Sequence, residues 1–431
     1  MKQVLCISPH FPPVNAADMQ RLRQALPYLP EFGWHPSVIA VEPDRCEGVQ
    51  DALLMHTVPE TVEVIRTGAF PARLTRKAGL GNLGFRCWPQ LRRAGHRFLS
   101  ARRIDLVFFT TTVFTAIAHG PAWQRRHGVP FVVDLQDPWR NDYYLTLPRS
   151  ERPPKFAFDY WQKAKLEAFT MPRADGIVAV SGSYIDQMRE RYPALHGRPA
   201  LELPFAVLPG DMDVARTLPS KSVREPGTVV LRYVGRGGPD MERAATILFT
   251  ALGHGLENEP ELFARIRLEF VGTSYAVTGC GQPTIRPHAE RLGVAAQVTE
   301  DPDRLPYFRA LRHLLDADGL LVLGSDDPRY TASKLYPYIL ADRPLLALFR
   351  AESPATAVLR DMRAGRLVTF GTAGDDDAVA QCTAELAWLA GRPAPEPIDH
   401  DAFARYGARA MTEKLASLFD EVVAARRGAT A

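Results

Sequence analysis

The strongest restriction on the fold of this chain is the segment 319–349, GLLVLGSDDPRYTASKLYPYILADRPLLALF. Residues 319–323 form a short apolar run, as expected of a strand buried on both faces of a parallel sheet. Residues 324–331 follow as a polar loop containing Asp326, Asp327, Pro328 and Arg329. The spacing then predicts a helix from Ser333, with Leu335, Tyr336, Ile339 and Leu340 on its apolar face. Arg343-Pro344 stops that helix, and 345–349 is the next buried strand. Lys334 falls in the first turn, where the helix dipole is already positive and a cation adds no stability. A hydroxyl, free backbone N–H groups and a lysine at the carboxyl end of a parallel strand suit an anion, a phosphate first of all. The competing reading is a solvent-facing lysine on an ordinary strand–helix unit.

The same rhythm runs through the chain. Residues 3–8 read as a strand, 19–29 as a helix and 34–41 as a second strand, the opening of a doubly wound sheet. The loop 9–18 leaves the carboxyl end of the first strand, so His10, Asn15, Asp18 and Arg21 are expected at a ligand crevice. Strands follow at 105–110 and 129–135, the latter ending in Gln136-Asp137-Pro138-Trp139-Arg140. Asp134 and Asp137 flank that strand end, so at least one carboxylate should face the crevice. Asp137 there either meets ligand hydroxyls and moves a proton, or caps the turn before Pro138. Residues 206–228 are rich in Pro, Gly and charge without periodicity, which reads as a linker. A second series begins with a strand at 229–234 and the turn Gly235-Arg236-Gly237-Gly238, where backbone N–H groups can approach an anion. At 431 residues the chain exceeds one ordinary core. The expected division is a domain at 1–205, the linker, a domain at 229–400, and a terminal helix within 401–431.

Composition excludes several classes. No apolar run approaches the ~20 residues needed to span a bilayer. The five cysteines are scattered without paired spacing, which argues against a disulfide framework or a zinc site. Residues 1–7 run directly into a strand with no apolar leader, so cytoplasmic residence is expected, with the inner membrane face as a second location. Between 71 and 104 there is no acidic residue, while arginines and Lys77 alternate with Leu, Phe and Trp. That pattern fits peripheral membrane contact or an acidic acceptor, and equally a plain solvated face. No nucleic-acid recognition signature accompanies it, and nucleic acid is not an expected partner.

The opening VLCISPHFPPVNAADMQRLRQALPYL, the segment GVPFVVDLQDPWR, ADGIVAVSGSY, YVGRGG and SKLYPYILADRPLLAL, in that order, resemble the retaining GT-B glycosyltransferases of family 4. The resemblance spans nearly the whole chain. It implies an α/β protein of two Rossmann-like domains facing a cleft, with the terminal helix crossing back to the first domain. It also implies transfer of a sugar from a nucleotide-sugar donor to a glycan, lipid-linked or small-molecule acceptor, with retention and without a metal or other cofactor. Arg236 and Lys334 match the basic pair that grips the donor diphosphate, and Ser333 the hydroxyl beside that lysine. Gly235, Gly237, Gly238 and Leu335 fall around the donor in the same motifs, and His10, Asn15, Asp18 and Arg21 on the acceptor side. Asp137 joins Arg236 and Lys334 as a catalytic candidate. The sequence departs from the family at two places. Pro337 and Arg329 stand where the family carries two glutamates, and Asn15-Ala16-Ala17 replaces a frequent Gly-Gly. Asp326 and Asp327 are the candidate acceptors for sugar hydroxyls in place of those glutamates. A non-catalytic nucleotide-sugar or glycan-binding protein is the alternative that these departures raise.

Overall fold

The structure, a computed structural model, describes every residue except 76–80, 141, 147, 154–155, 221–224, 275, 277–278, 328–333, 372–373 and 431. The chain forms two compact units, Met1–Ala206 with Ala408–Ala431, and Val207–Gly407.

The first unit is built on seven strands: β1 (Lys2–Ile7), β2 (Trp34–Val41), β3 (Glu63–Thr67), β4 (Leu106–Thr110), β5 (Phe131–Leu135), β6 (Gly176–Ala179) and β7 (Ala200–Glu202). Their order is β3-β2-β1-β4-β5-β6-β7, and every pairing is parallel. The order therefore reverses between β1 and β4, a topological switch point where such sheets bind ligands. Period-two alternation divides the side chains between two cores. Leu5, Ile7, Val107 and Phe109 face one side with Trp123. Val4, Cys6, Leu106 and Phe108 face the other with Trp34, Leu415 and Phe419. The last two belong to the terminal helix Ala408–Thr430, whose Phe419 meets Trp34 and Phe108 edge-on at 5.3 and 5.0 Å. Asp420 of that helix accepts a 2.9 Å hydrogen bond from the Trp34 indole.

The second unit carries β8 (Val229–Val234), β9 (Ile266–Val271), β10 (Val298–Asp301), β11 (Gly319–Leu323), β12 (Leu345–Arg350) and β13 (Arg366–Phe370). The order is β10-β9-β8-β11-β12-β13, again wholly parallel, with its reversal between β8 and β11. Leu231, Tyr233, Phe270, Leu321 and Leu323 are packed into a core with the helices Glu242–Asn258 and Asp376–Ala390.

Several expectations change in detail. The helix expected at 19–29 is a 3-10 turn at Ala17–Met19, a helix at Gln20–Ala25 and a second 3-10 turn at Leu29–Phe32. Pro27 and Pro30 interrupt it, because proline lacks the N–H that the ladder needs. Part of the expected linker is a helix, Gly210–Thr217, which buries Met212 and Ala215, while Asp211 accepts a 2.7 Å hydrogen bond from Tyr307. The last helical stretch is two helices, His400–Ala404 and Ala408–Thr430. In the basic segment Leu83, Leu91, Phe98 and Leu99 are buried in the sheet's own core, whereas Leu74 is 65% exposed and residues 76–80 lie outside the described residues. Gly95 of the helix Trp88–Ala101 lies so close to Trp123 that an added Cβ would stand 2.1 Å from the ring. Among the described residues no helix is long and apolar enough to cross a membrane.

Candidate functional site

In the second unit the two expected cations meet at the switch point. β8 ends at Val234 and passes into Gly235, whose φ of +143° disfavours any residue with a Cβ. The Gly235 and Gly237 amides each donate at 2.9 Å, to Val271 and Thr273 carbonyls, which fixes the turn against the end of β9. A Cβ on Gly238 would stand 2.6 Å from both Arg236 Nη1 and Asp240 Oδ1. Glycine there leaves room for Arg236 to fold onto Asp240, Nη2 to Oδ2 at 2.6 Å. Burial would raise the Asp240 carboxyl, but hydrogen bonds from Arg236 and Ser325 outweigh it and hold the group below its ordinary value.

Lys334 stands at the N-cap of the helix Leu335–Leu340. Its Nζ donates to the Tyr233 hydroxyl and lies 4.3 Å from that ring's centroid. The same hydroxyl donates to the Arg236 carbonyl at 2.5 Å, so one buried tyrosine links both cationic residues. Tyr338 pins the helix to β8, accepting from Val234 N at 2.5 Å and donating to Val234 O at 2.9 Å. Desolvation, then the charge of Arg236, push the Lys334 amine down from 10.5 to about 7, against an opposing contribution from Asp240. Among the described residues this amine has no carboxylate within ion-pair distance, only the more distant charge of Asp240, which is the electrostatic condition of an anion site.

The remaining donor-side candidates divide. The Asp326 amide donates to the Asp240 carbonyl at 2.6 Å, and its Oδ1 is buried with no hydrogen-bond partner among the described residues. Desolvation raises the Asp326 carboxyl, with Arg243 and Arg350 opposing and Asp240 and Asp375 adding to it. Asp327 is exposed, its amide donating to Ser325 Oγ at 3.1 Å. Leu335 packs inward at 1% exposure. Ser333 and Arg329 lie outside the described residues.

In the first unit the switch point gathers a carboxylate instead. Asp18, 2% exposed, receives His10 Nδ1 at 3.2 Å, Thr111 Oγ at 2.9 Å, and Thr112 N and Oγ at 3.0 and 3.2 Å. Burial would raise Asp18, yet these bonds, led by His10, outweigh it and lower the carboxyl. Asn15 is half-buried, with its amide on the Val49 carbonyl at 2.8 Å. Arg21 is a correction: it does not face the crevice. It is fully buried, pairing with Asp134 at 2.9 Å and donating to the Leu203 and Pro204 carbonyls at 2.6 and 3.4 Å. Thr110 and Gln136 also donate to Asp134, at 2.8 and 2.7 Å. Of the two carboxylates flanking β5, Asp137 is therefore the exposed one, raised by desolvation and then by the charge of Asp18.

The sequence reading missed Tyr233, Tyr338 and Asp240. The only signal was position: Tyr233 lies three residues before Arg236 on a core-facing strand position, where an aromatic residue ordinarily means packing alone.

Two doubly wound parallel sheets, with the terminal helix returned to the first, define a GT-B protein. Residues 19–200 match the family described as glycosyl transferase 4-like domain. Among solved structures, sucrose-phosphate synthase from Thermosynechococcus elongatus is similar at TM-score 0.56 and 15% identity, over 99% of this chain and 100% of that one. Anabaena HepE, solved in complex with UDP-glucose, is similar at 0.55 and 14%, over 98% and 100%. An alpha,alpha-trehalose-phosphate synthase (UDP-forming) from Burkholderia vietnamiensis is similar at 0.55 and 14%, over 99% and 98%. No curated protein sequence matches the chain.

Proposed function

We propose that this protein transfers a glycosyl group from a nucleoside-diphosphate sugar to a hydroxyl-bearing acceptor, a glycan, lipid-linked molecule or small molecule, with retention of configuration. The observation that carries the reading is the gathering at the switch point of the second sheet of Lys334, whose amine donates to the Tyr233 hydroxyl, and Arg236, whose charge bears on that amine and whose carbonyl the same hydroxyl meets. Departure of a nucleoside diphosphate builds negative charge on its phosphates. Two fixed cations in a partly desolvated site stabilise that charge without reorganising, and without a metal. The unpartnered Asp326 oxygen is the candidate acceptor for a hydroxyl of the donor sugar, in the role that the absent glutamates leave open. The first unit takes the acceptor, with Asp137 as its accessible carboxylate. UDP-glucose is the first donor to try, since HepE was solved with it.

The test is release of nucleoside diphosphate from UDP-, GDP- and dTDP-sugars with a panel of acceptors. Acceptor-dependent release from one donor is expected, and neither binding nor turnover with any donor would overturn the reading. Pro337, in place of a glutamate, favours one second reading, a nucleotide-sugar binder without catalysis. It predicts calorimetric binding of a donor with no product.

A further inference from the structure

A hollow of about 630 Å³ lies within the first unit, beside Asp137. One wall comes from the segments that follow β4 and β5, with Thr112, Phe114, Asp137 and Trp139. The facing wall is the helix Phe156–Thr170, through Phe156, Tyr160 and Gln162. The volume is in the range of cavities that enclose a drug-sized ligand. Its lining is aromatic and ordered: Trp139 stacks on Phe114 at 5.5 Å and 12°, and Phe156 meets Tyr160 at 5.4 Å. Charge is sparse. Asp159 and Lys163 pair with each other at 2.8 Å, which leaves Asp137 as the unpaired charge among the lining residues. At the mouth, Phe158 is 53% exposed and stacks at 6.1 Å on Trp161, itself 56% exposed. Clustered large apolar side chains left in water mark a surface that binds something apolar.

We infer that this hollow takes the apolar body of an amphiphilic acceptor, an alkyl or aryl group carrying a hydroxylated head, and that Asp137 accepts a hydrogen bond from that head. The inference rests on the first unit being the acceptor side, as proposed above. A bare sugar would reach the polar side chains around Asp137 and leave the ring area of Phe114, Trp139 and Phe156 without apolar cover. Each buried hydroxyl needs a partner, and an unpaired one is costly. Stacked rings offer area instead, which rewards alkyl or aryl carbon. Asn82, Thr112, Thr115 and Gln162 supply neutral polar contacts beside Asp137 for the head.

The experiment is calorimetric titration of the full chain with methyl, octyl and phenyl β-glucosides, the octyl compound kept below its micelle concentration. The heads are the same and only the aglycone differs. The octyl or the phenyl compound is expected to bind at least about tenfold tighter than the methyl one. Whichever gains more identifies the aglycone as alkyl or aryl. Gln162→Phe, which fills the hollow, and Phe158→Ser, at an exposed mouth position, should each remove that gain. Urea unfolding and circular dichroism that match the unsubstituted protein show that the first unit of each variant is folded, and UDP is titrated against the same proteins. Equal affinity for all three glucosides, or no binding of any, overturns the inference. So does an octyl gain that survives both substitutions. Absence of UDP binding to the unsubstituted protein overturns the donor reading instead, and leaves the glucoside comparison intact.

Discussion

The chain makes the same topological reversal twice, between β1 and β4 and between β8 and β11, and fills the two places with opposite charge. In the first unit the switch point holds Asp18, wrapped by His10, Thr111 and Thr112 until it is 2% exposed. In the second it holds Arg236 and Lys334, of which the lysine donates to a tyrosine hydroxyl and, among the described residues, pairs with no carboxylate. The first arrangement is closed around Asp18, whose carboxylate is answered by the protein, with Asp137 left exposed beside it. The second is open, and its unanswered charge is the part left for a ligand. Parallel sheets fix where a site forms, whereas the loop residues decide whether it is filled from within or from outside.

The largest effect is expected where a closed arrangement is broken. Asp134→Ala strands the buried Arg21 guanidinium and should destabilise the first unit by roughly 3–5 kcal/mol, read as a shift in the urea unfolding transition. A loss under about 1 kcal/mol would show that these charges are not the internal staple described here. Lys334→Ala tests the open arrangement. It should lower turnover by about 2.7–4 kcal/mol, some 10²–10³-fold, in a nucleoside-diphosphate release assay, with little change in unfolding. Arg236→Ala should weaken UDP binding by roughly 1.5–3 kcal/mol, the range for hydrogen bonds to charged groups, measured by calorimetry. An unchanged affinity would detach Arg236 from the diphosphate.

The smallest effect is one of pH. Because the folded Lys334 titrates at about 7 and the ordinary group at 10.5, the folded chain binds fewer protons between those values. Stability of the unliganded protein therefore rises with pH across that window. A bound diphosphate favours the charged amine, so binding above pH 7 takes up a proton. UDP affinity should then fall by at most about tenfold, or ~1.4 kcal/mol, per pH unit above 7. Calorimetry in buffers of different ionisation enthalpy reads that proton, and Lys334→Ala should abolish it. A flat affinity from pH 7 to 9 would separate Lys334 from the anion.

Much of this was legible in sequence because parallel strands advertise themselves. Runs such as GLLVL and LLALF are apolar at every position, and the glycines at 235, 237 and 238 mark a strand-to-helix turn whose first residue takes a positive φ. What stayed hidden was side-chain partnership across long separations. Arg21 reads as a surface cation until Asp134, 113 residues away, is folded beside it. Tyr233 reads as packing until Lys334, 101 residues on, reaches its hydroxyl. The basic segment was ambiguous for a related reason. Sequence periodicity names an apolar face without naming what buries it, and for Leu83, Leu91, Phe98 and Leu99 the cover is the unit's own core. The helix Gly210–Thr217 was missed because its single turn of apolar residues is too short to show periodicity.

The helix Ala408–Thr430 gives synthesis an order. The chain enters the second unit at Val207 and leaves it at Gly407, two residues that pair as a bridge. Every strand of the second sheet is therefore made before Phe419, the residue that seals Trp34 and Phe108 in the first. The half of the protein translated first is the half that finishes last. Until residues 408–430 leave the ribosome, Trp34 and Phe108 on one face of its sheet lack that cover, and deleting 408–430 should cost the N-terminal half its solubility.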